Sequence, residues 1–166
     1  MKIIWNYGPV PQNLKVTQVY GIVFNQDGQL LLKVENKKGK KVYSFAGGTP
    51  ETFDKNYEAT LRREFIEEVN TTLQKDVYLL GYQYIDEENS KPPYAQMRVT
   101  ALIDNIGSVK PDPDNGETYE RVLATPQEAI SLLGWGEVGK LQIEEAVKIA
   151  KQKFGICFNP QPQKTV

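Results

Sequence analysis

The stretch Gly47–Asn70, GGTPETFDKNYEATLRREFIEEVN, places three glutamates, Glu64, Glu67 and Glu68, at helical spacing behind a pair of glycines. At about 100° per residue, with Thr60 at 0°, Glu64 falls at about 40°, Glu67 at about 340° and Glu68 at about 80°. Leu61 and Phe65 follow at about 100° and 140°, so the acids flank an apolar stripe and do not point directly away from it. Like charges three and four residues apart cost a helix about 0.2–0.5 kcal/mol per pair. Two readings compete: a solvated acidic face, or carboxylates converging on a divalent cation. Hard oxygen ligands would favour Mg²⁺ or Mn²⁺ over zinc. The preceding Gly47-Gly48 favours the second reading, because glycine lets backbone approach a ligand closely and a carbonyl there could join the acids. Arg63 can pair with an acid upstream, Glu51 or Asp54, and clamp the loop to the helix.

Composition sets the outer limits. The chain has 166 residues, a length that suits one domain, 1–166, with a core over about 15–154 and a loose tail at 158–166. At 40% hydrophobic and 25% charged it can build a core. Lys and Arg number 20 against 21 Asp and Glu, a balance that gives no reason to expect nucleic-acid or membrane-surface binding. Histidine is absent, which removes His-based triads and His metal ligands and leaves the chemistry to carboxylates, with Lys or Tyr in support. The single cysteine, Cys157, can form no internal disulfide and fits a reducing cytoplasm. The opening MKIIWNYGPVPQ reads as no signal peptide, and no apolar run is long enough to span a membrane.

Along the chain, 15–25 and 29–35 predict a hairpin around Asn25-Gln26-Asp27-Gly28. KKGKK (37–41) predicts a solvated loop, and 42–46 a short strand entering the glycines. A helix is expected from about Asp54 to Val69, and strands over 77–86, 94–104 and about 119–124. Thr125-Pro126 predicts a capped helix start, and 141–154 an amphipathic helix. GWGEVG (134–139) matches G-x-G-x-x-G but has no strand before it, so it fails as a dinucleotide fingerprint and reads as a loop. Hairpin signals mixed with helices and no βαβ alternation predict an α+β fold with a mixed sheet.

The strand–loop–helix–loop resembles the Nudix box, G-x5-E-x7-R-E-U-x-E-E-x-G-U with U apolar. Arg63-Glu64-Phe65-Ile66-Glu67-Glu68 matches its R-E-U-x-E-E core throughout, and Gly48 stands for the leading glycine. The segment from Gly48 to Arg63 is one residue longer than the pattern, so Lys55 falls where the family has its loop glutamate, and Asp54 or Glu51 must take that role. Asn70 replaces the last glycine and is the next best residue for a left-handed C-cap. Thr71 takes the final apolar position.

The resemblance implies a Nudix-type α/β/α sandwich with a mixed central sheet and a MutT-like, cytoplasmic hydrolase. It implies a Mg²⁺ (or Mn²⁺) site at Glu64, Glu67 and Glu68 with the Gly48 carbonyl, and a catalytic part for Arg63 as well. The implied reaction is hydrolysis of a pyrophosphate bond in a nucleoside diphosphate linked to another group. A nucleoside triphosphate, oxidised or non-standard forms included, ranks first as substrate. ADP-ribose or a nucleotide sugar is the alternative, and a nucleotide sensor without turnover a third reading. The general base would come from the box or from a later loop, where Glu117 and Glu120 are the candidates. Tyr94, Gln96 and Arg98 alternate on one strand face and would either contact the substrate or line a solvent-facing edge. A small-molecule nucleotide is the expected partner, without nucleic acid or membrane; a homodimer is compatible with the family, though no interface is legible.

Overall fold

The computed structural model describes residues 1–166. Nine strands form one sheet: β1 (Lys2–Tyr7), β2 (Lys15–Phe24), β3 (Leu30–Lys37), β4 (Lys40–Ser44), β5 (Ala46–Gly48), β6 (Thr71–Asp86), β7 (Tyr94–Ile106), β8 (Glu120–Ala124) and β9 (Lys164–Thr165). Their order is β1-β6-β7-β2-β3-β8-β9, with β4 on β3 and β5 on β2. Only β2 and β7 pair in parallel, so the sheet is mixed as expected. Helix α1 (Tyr57–Val69) covers one face, and α2 (Pro126–Leu133) and α3 (Gly136–Phe154) cover the other.

The layers follow from strand alternation. On β2, Val19 and Val23 face α1 with Leu61, Phe65 and Val69, while Ile22 and Phe24 join Ile143, Ala146 and Ala150 of α3. On β3, Leu31 belongs to the first cluster and Leu30, Leu32 and Val34 to the second. β2 and β3 bridge only at Phe24–Leu30 and then part, β5 following β2 and β4 following β3. That divergence opens the sheet beside α1.

Gly21 sets how closely α1 sits on the sheet. A Cβ there would lie 2.7 Å from Phe65 and 3.0 Å from Leu61. Gly21→Ala is therefore expected to lower stability by about 1–3 kcal/mol through overpacking, measured as a shift of the urea midpoint with an unchanged slope.

Several boundaries differ from the sequence expectation. Helix α1 begins at Tyr57, not Asp54, because the Asn56 side chain caps it by accepting the Ala59 N–H at 2.9 Å. Lys37–Lys41 is not an open loop: β3 and β4 pair as far as Lys37–Lys40, and Lys38 and Gly39 turn the corner at positive φ. β6 starts at Thr71, and β1 pairs along its far half as a strand that the sequence did not announce. Helix α3 starts at Gly136, so part of GWGEVG is helical. The tail expected to be loose folds back: Lys164 and Thr165 pair with β8, and the Val166 N–H donates to the Arg121 carbonyl at 3.0 Å. Arg121, buried, donates to the Val166 carbonyl as well, so the tail closes an edge that would otherwise be unpaired. No helix is long and apolar enough to cross a membrane.

Candidate active site

The site is built where α1 meets the β5 glycines. Asn56 fixes the start of the helix, and Asn70 ends it in the left-handed conformation at φ 44°, ψ 49°, as its position in the sequence suggested. Leu61, Phe65 and Val69 are buried in the sheet, which brings Glu64 and Glu68 down onto the β5 side of the helix. Glu64 is only 8% exposed. A Cβ on residue 48 would lie 2.4 Å from the Glu64 carboxyl, so only glycine fits there. Glu68 accepts the Gly47 N–H at 3.0 Å and the Lys33 ammonium at 2.5 Å.

Arg63 is the hub. It donates to Asp54 through Nε at 3.2 Å and Nη2 at 2.9 Å. Nη1 reaches Glu64 and Glu67, each at 2.9 Å, and Nη2 also donates to the Thr49 carbonyl. The open choice of partner is thereby resolved: Asp54 takes the arginine, while Glu51 contributes its backbone N–H to Asp54. Asp54 keeps the acid's spacing from Gly48, so the extra residue falls between it and Arg63, in the turn that Asn56 closes.

These contacts set the charges. Hydrogen bonds from Arg63 hold the Asp54 carboxyl at about 2, helped by the Glu51 N–H and the Thr60 hydroxyl. Burial pushes Glu64 up to about 7 against the pull of Arg63, and burial raises Glu68 against the pull of Lys33. Asp54 predicts an acid-sensitive loop. Its folded pKa lies below its unfolded value, so its stabilisation is complete above about pH 4 and fades as pH falls towards 2. Asp54→Asn should flatten the loss of Tm between pH 5 and 2.5, followed by thermal melts across that range.

The donor set fits a hard divalent cation: carboxylate oxygens, no sulfur or nitrogen, and a glycine that leaves room beside Glu64. The three acids are not already drawn into one cluster. Arg63 and Lys33 hold them apart in two groups, Glu64 with Glu67 and Glu68 alone.

Beside the acids, between β2 and the β3–β4 pair, lies a cavity of about 490 Å³. Lys33 belongs to its wall as well as to Glu68, and Tyr20, Phe45 and Trp135 supply aromatic surface. The three residues proposed from β7 part company. β7 is an interior strand, not an edge, so the solvent-facing alternative does not hold. Arg98 is fully buried and Gln96 half-buried, and both line the cavity. Tyr94 lies apart in a shallower depression with Lys15 and Thr49, its hydroxyl 3.2 Å from Glu87.

The two acids expected in the later loop are both exposed, and only Glu117 lies in it; Glu120 is the first residue of β8. Glu120 pairs with Lys41 at 2.8 Å, and the Glu117 backbone closes a turn on Asn115. The buried acid of that loop is Asp112, whose charge acts on Glu68. Its sequence context, a Pro- and Asp-rich turn, gave no sign of burial. Gln83, also on the cavity wall, carried no sequence signal.

A family model, the NUDIX domain, matches residues 14–145, and the chain belongs to the Nudix family. It is a hydrolase of phosphoric anhydride bonds, in a family that is generally dependent on divalent metals. Among solved structures it is similar to a Bacillus subtilis pyrophosphohydrolase, BsRppH (19% identity, 86% of this chain and 88% of that one, TM-score 0.64). It is similar also to the Escherichia coli ORF135 protein (18%, 88% and 98%, 0.59). A third likeness is to a MutT from work on Aliivibrio salmonicida and Vibrio cholerae (17%, 79% and 98%, 0.57). At these identities the likeness is one of fold. No curated protein matches the chain.

Proposed function

We propose that Glu64, Glu67 and Glu68 hold Mg²⁺ or Mn²⁺ with the Gly48 carbonyl, and that the protein hydrolyses the pyrophosphate bond of a nucleoside diphosphate linked to another group. A nucleoside triphosphate, standard or oxidised, is the first candidate. The observation that carries this reading is adjacency: Lys33 touches Glu68 and forms part of the wall of a cavity large enough for a nucleoside. The base and sugar would occupy the cavity while the phosphates extend past Lys33 to the acids. A bound divalent cation neutralises phosphoryl charge and lowers the pKa of water. Arg63 orients Glu64 and Glu67 and ties them to the loop through Asp54. Lys33 balances the charge of Glu68 and meets the incoming phosphate. The water's proton passes to a carboxylate: Asp112, buried and acting on Glu68 through its charge, joins Glu117 and Glu120 as a candidate base. The likeness in fold to a pyrophosphohydrolase and to a MutT supports the substrate class. The intact set of three glutamates speaks for turnover over a sensor role.

The test is release of phosphate and pyrophosphate from triphosphates, oxidised triphosphates, ADP-ribose and sugar nucleotides with Mg²⁺. Turnover of triphosphates with pyrophosphate as product is expected. Turnover confined to ADP-ribose or sugar nucleotides would shift the substrate to the alternative class.

A further inference from the structure

Arg98 is a cation buried to 1% exposure that faces no carboxylate. Burial depresses its pKa to about 10, and its only ionisable neighbour is Tyr20, whose ring lies 4.7 Å beneath the guanidinium. An unpaired buried charge is costly unless its donors are satisfied. Here neutral amides satisfy them. Nε donates to Gln142 Oε1 at 2.8 Å, and Nη2 to Gln83 Oε1 at 2.6 Å and Gln96 Oε1 at 3.4 Å.

Those bonds fix which way each amide points. With every oxygen turned to Arg98, every amide nitrogen must turn away. Gln142 Nε2 donates to the Val138 carbonyl at 3.1 Å, and Gln96 Nε2 to Gln18 Oε1. Gln83 Nε2 has no partner in the protein, although the residue is only 7% exposed and lines the cavity. Gln83 cannot flip to offer its oxygen without presenting an NH₂ group to the guanidinium. Behind the free donor stands a full positive charge, so this end of the cavity takes lone pairs and rejects N–H groups.

We propose that Gln83, oriented by Arg98, reads a carbonyl oxygen on the bound base, so that the protein selects keto bases (guanine, hypoxanthine, uracil) over amino bases (adenine, cytosine). This inference rests on the reading of the cavity as the nucleoside site. An exocyclic amine at that position would meet Gln83 donor to donor, and its own N–H groups would go unpaired. Sites that leave buried polar groups unpaired discriminate strongly.

The test needs no metal and no turnover. Binding of GMP, IMP, UMP, AMP and CMP is measured by calorimetry on the metal-free protein, wild type beside Gln83→Glu. In that variant the carboxylate still pairs with Arg98 and the fold is held, but the free amide donor becomes an acceptor. Wild type should bind GMP and IMP at least tenfold more tightly than AMP, and UMP more tightly than CMP. Gln83→Glu should remove or invert that order. Equal binding of keto and amino nucleotides by the wild type, a preference for AMP, or no binding of any of the five overturns the inference. So does a keto preference that Gln83→Glu leaves intact. Should the variant fail to fold, the wild-type order decides alone. Keto preference without turnover would sink the hydrolase reading and leave this one standing; turnover without preference would do the reverse.

Discussion

Replacing Glu67 with Gln is expected to lower kcat by on the order of 10³-fold, in the range of losses for removed charge-stabilising or acid–base groups, while leaving Tm unchanged or slightly raised. The two halves of that result belong together. Glu67 is partly exposed, and its only polar partner is Arg63, which keeps Asp54, Glu64 and the Thr49 carbonyl when Glu67 loses its charge. Removing the Glu67 charge relieves its repulsion with Glu64, three residues away on α1, by about 0.2–0.5 kcal/mol. A solvated acidic face would show the second half alone. The comparison is made on steady-state pyrophosphate release and on thermal melts without metal.

Arg63→Ala should cost about 2–4 kcal/mol of stability, because it leaves the Asp54 carboxylate, whose side chain is 6% exposed, without its cation. Activity should fall with it, since Glu64 and Glu67 lose the donor that orients them. Arg63→Lys should recover only part of either, as one ammonium cannot bridge Asp54, Glu64, Glu67 and Thr49 at once. Asp54→Asn alone should cost less, and the double variant little more than Arg63→Ala, giving a coupling of about 1–3 kcal/mol in denaturant melts. The same cycle with Glu51→Gln should show no coupling, because Glu51 contributes only its backbone to the network.

The site was legible in the sequence where its logic is local. Helical spacing puts Glu64, Glu67 and Glu68 on one side of α1, which is a short-range matter, though their charge partners split them into two groups; the structure places a glycine beside Glu64 and a left-handed cap at Asn70. The α2 start, with Thr125 and Glu128 exchanging capping bonds, was equally local. What the sequence left open depends on distant partners. Glu51 and Asp54 stand equally well to reach Arg63 until Asn56 fixes the turn. An arginine at 98 suggests an exposed strand until β2 pairs in parallel on one side, β6 on the other, and Gln142 arrives from α3. Asp112 and Gln83 carry no local pattern, and the tail looks loose unless the free edge of β8 is known. Charged and amide side chains at such positions are placed by tertiary pairing, which composition does not encode.

The most direct test of the central claim is a Mn²⁺ titration of the protein, followed by the loss of the free-ion electron paramagnetic resonance signal. Wild type is compared with the Glu67→Gln, Glu68→Gln double variant. The account predicts Mn²⁺ binding by the wild type, strengthened by nucleotide, and at least a tenfold weaker affinity in the variant at unchanged fold. Equal Mn²⁺ affinity in both proteins, or pyrophosphate release that survives removal of all divalent metal by chelation, would contradict it.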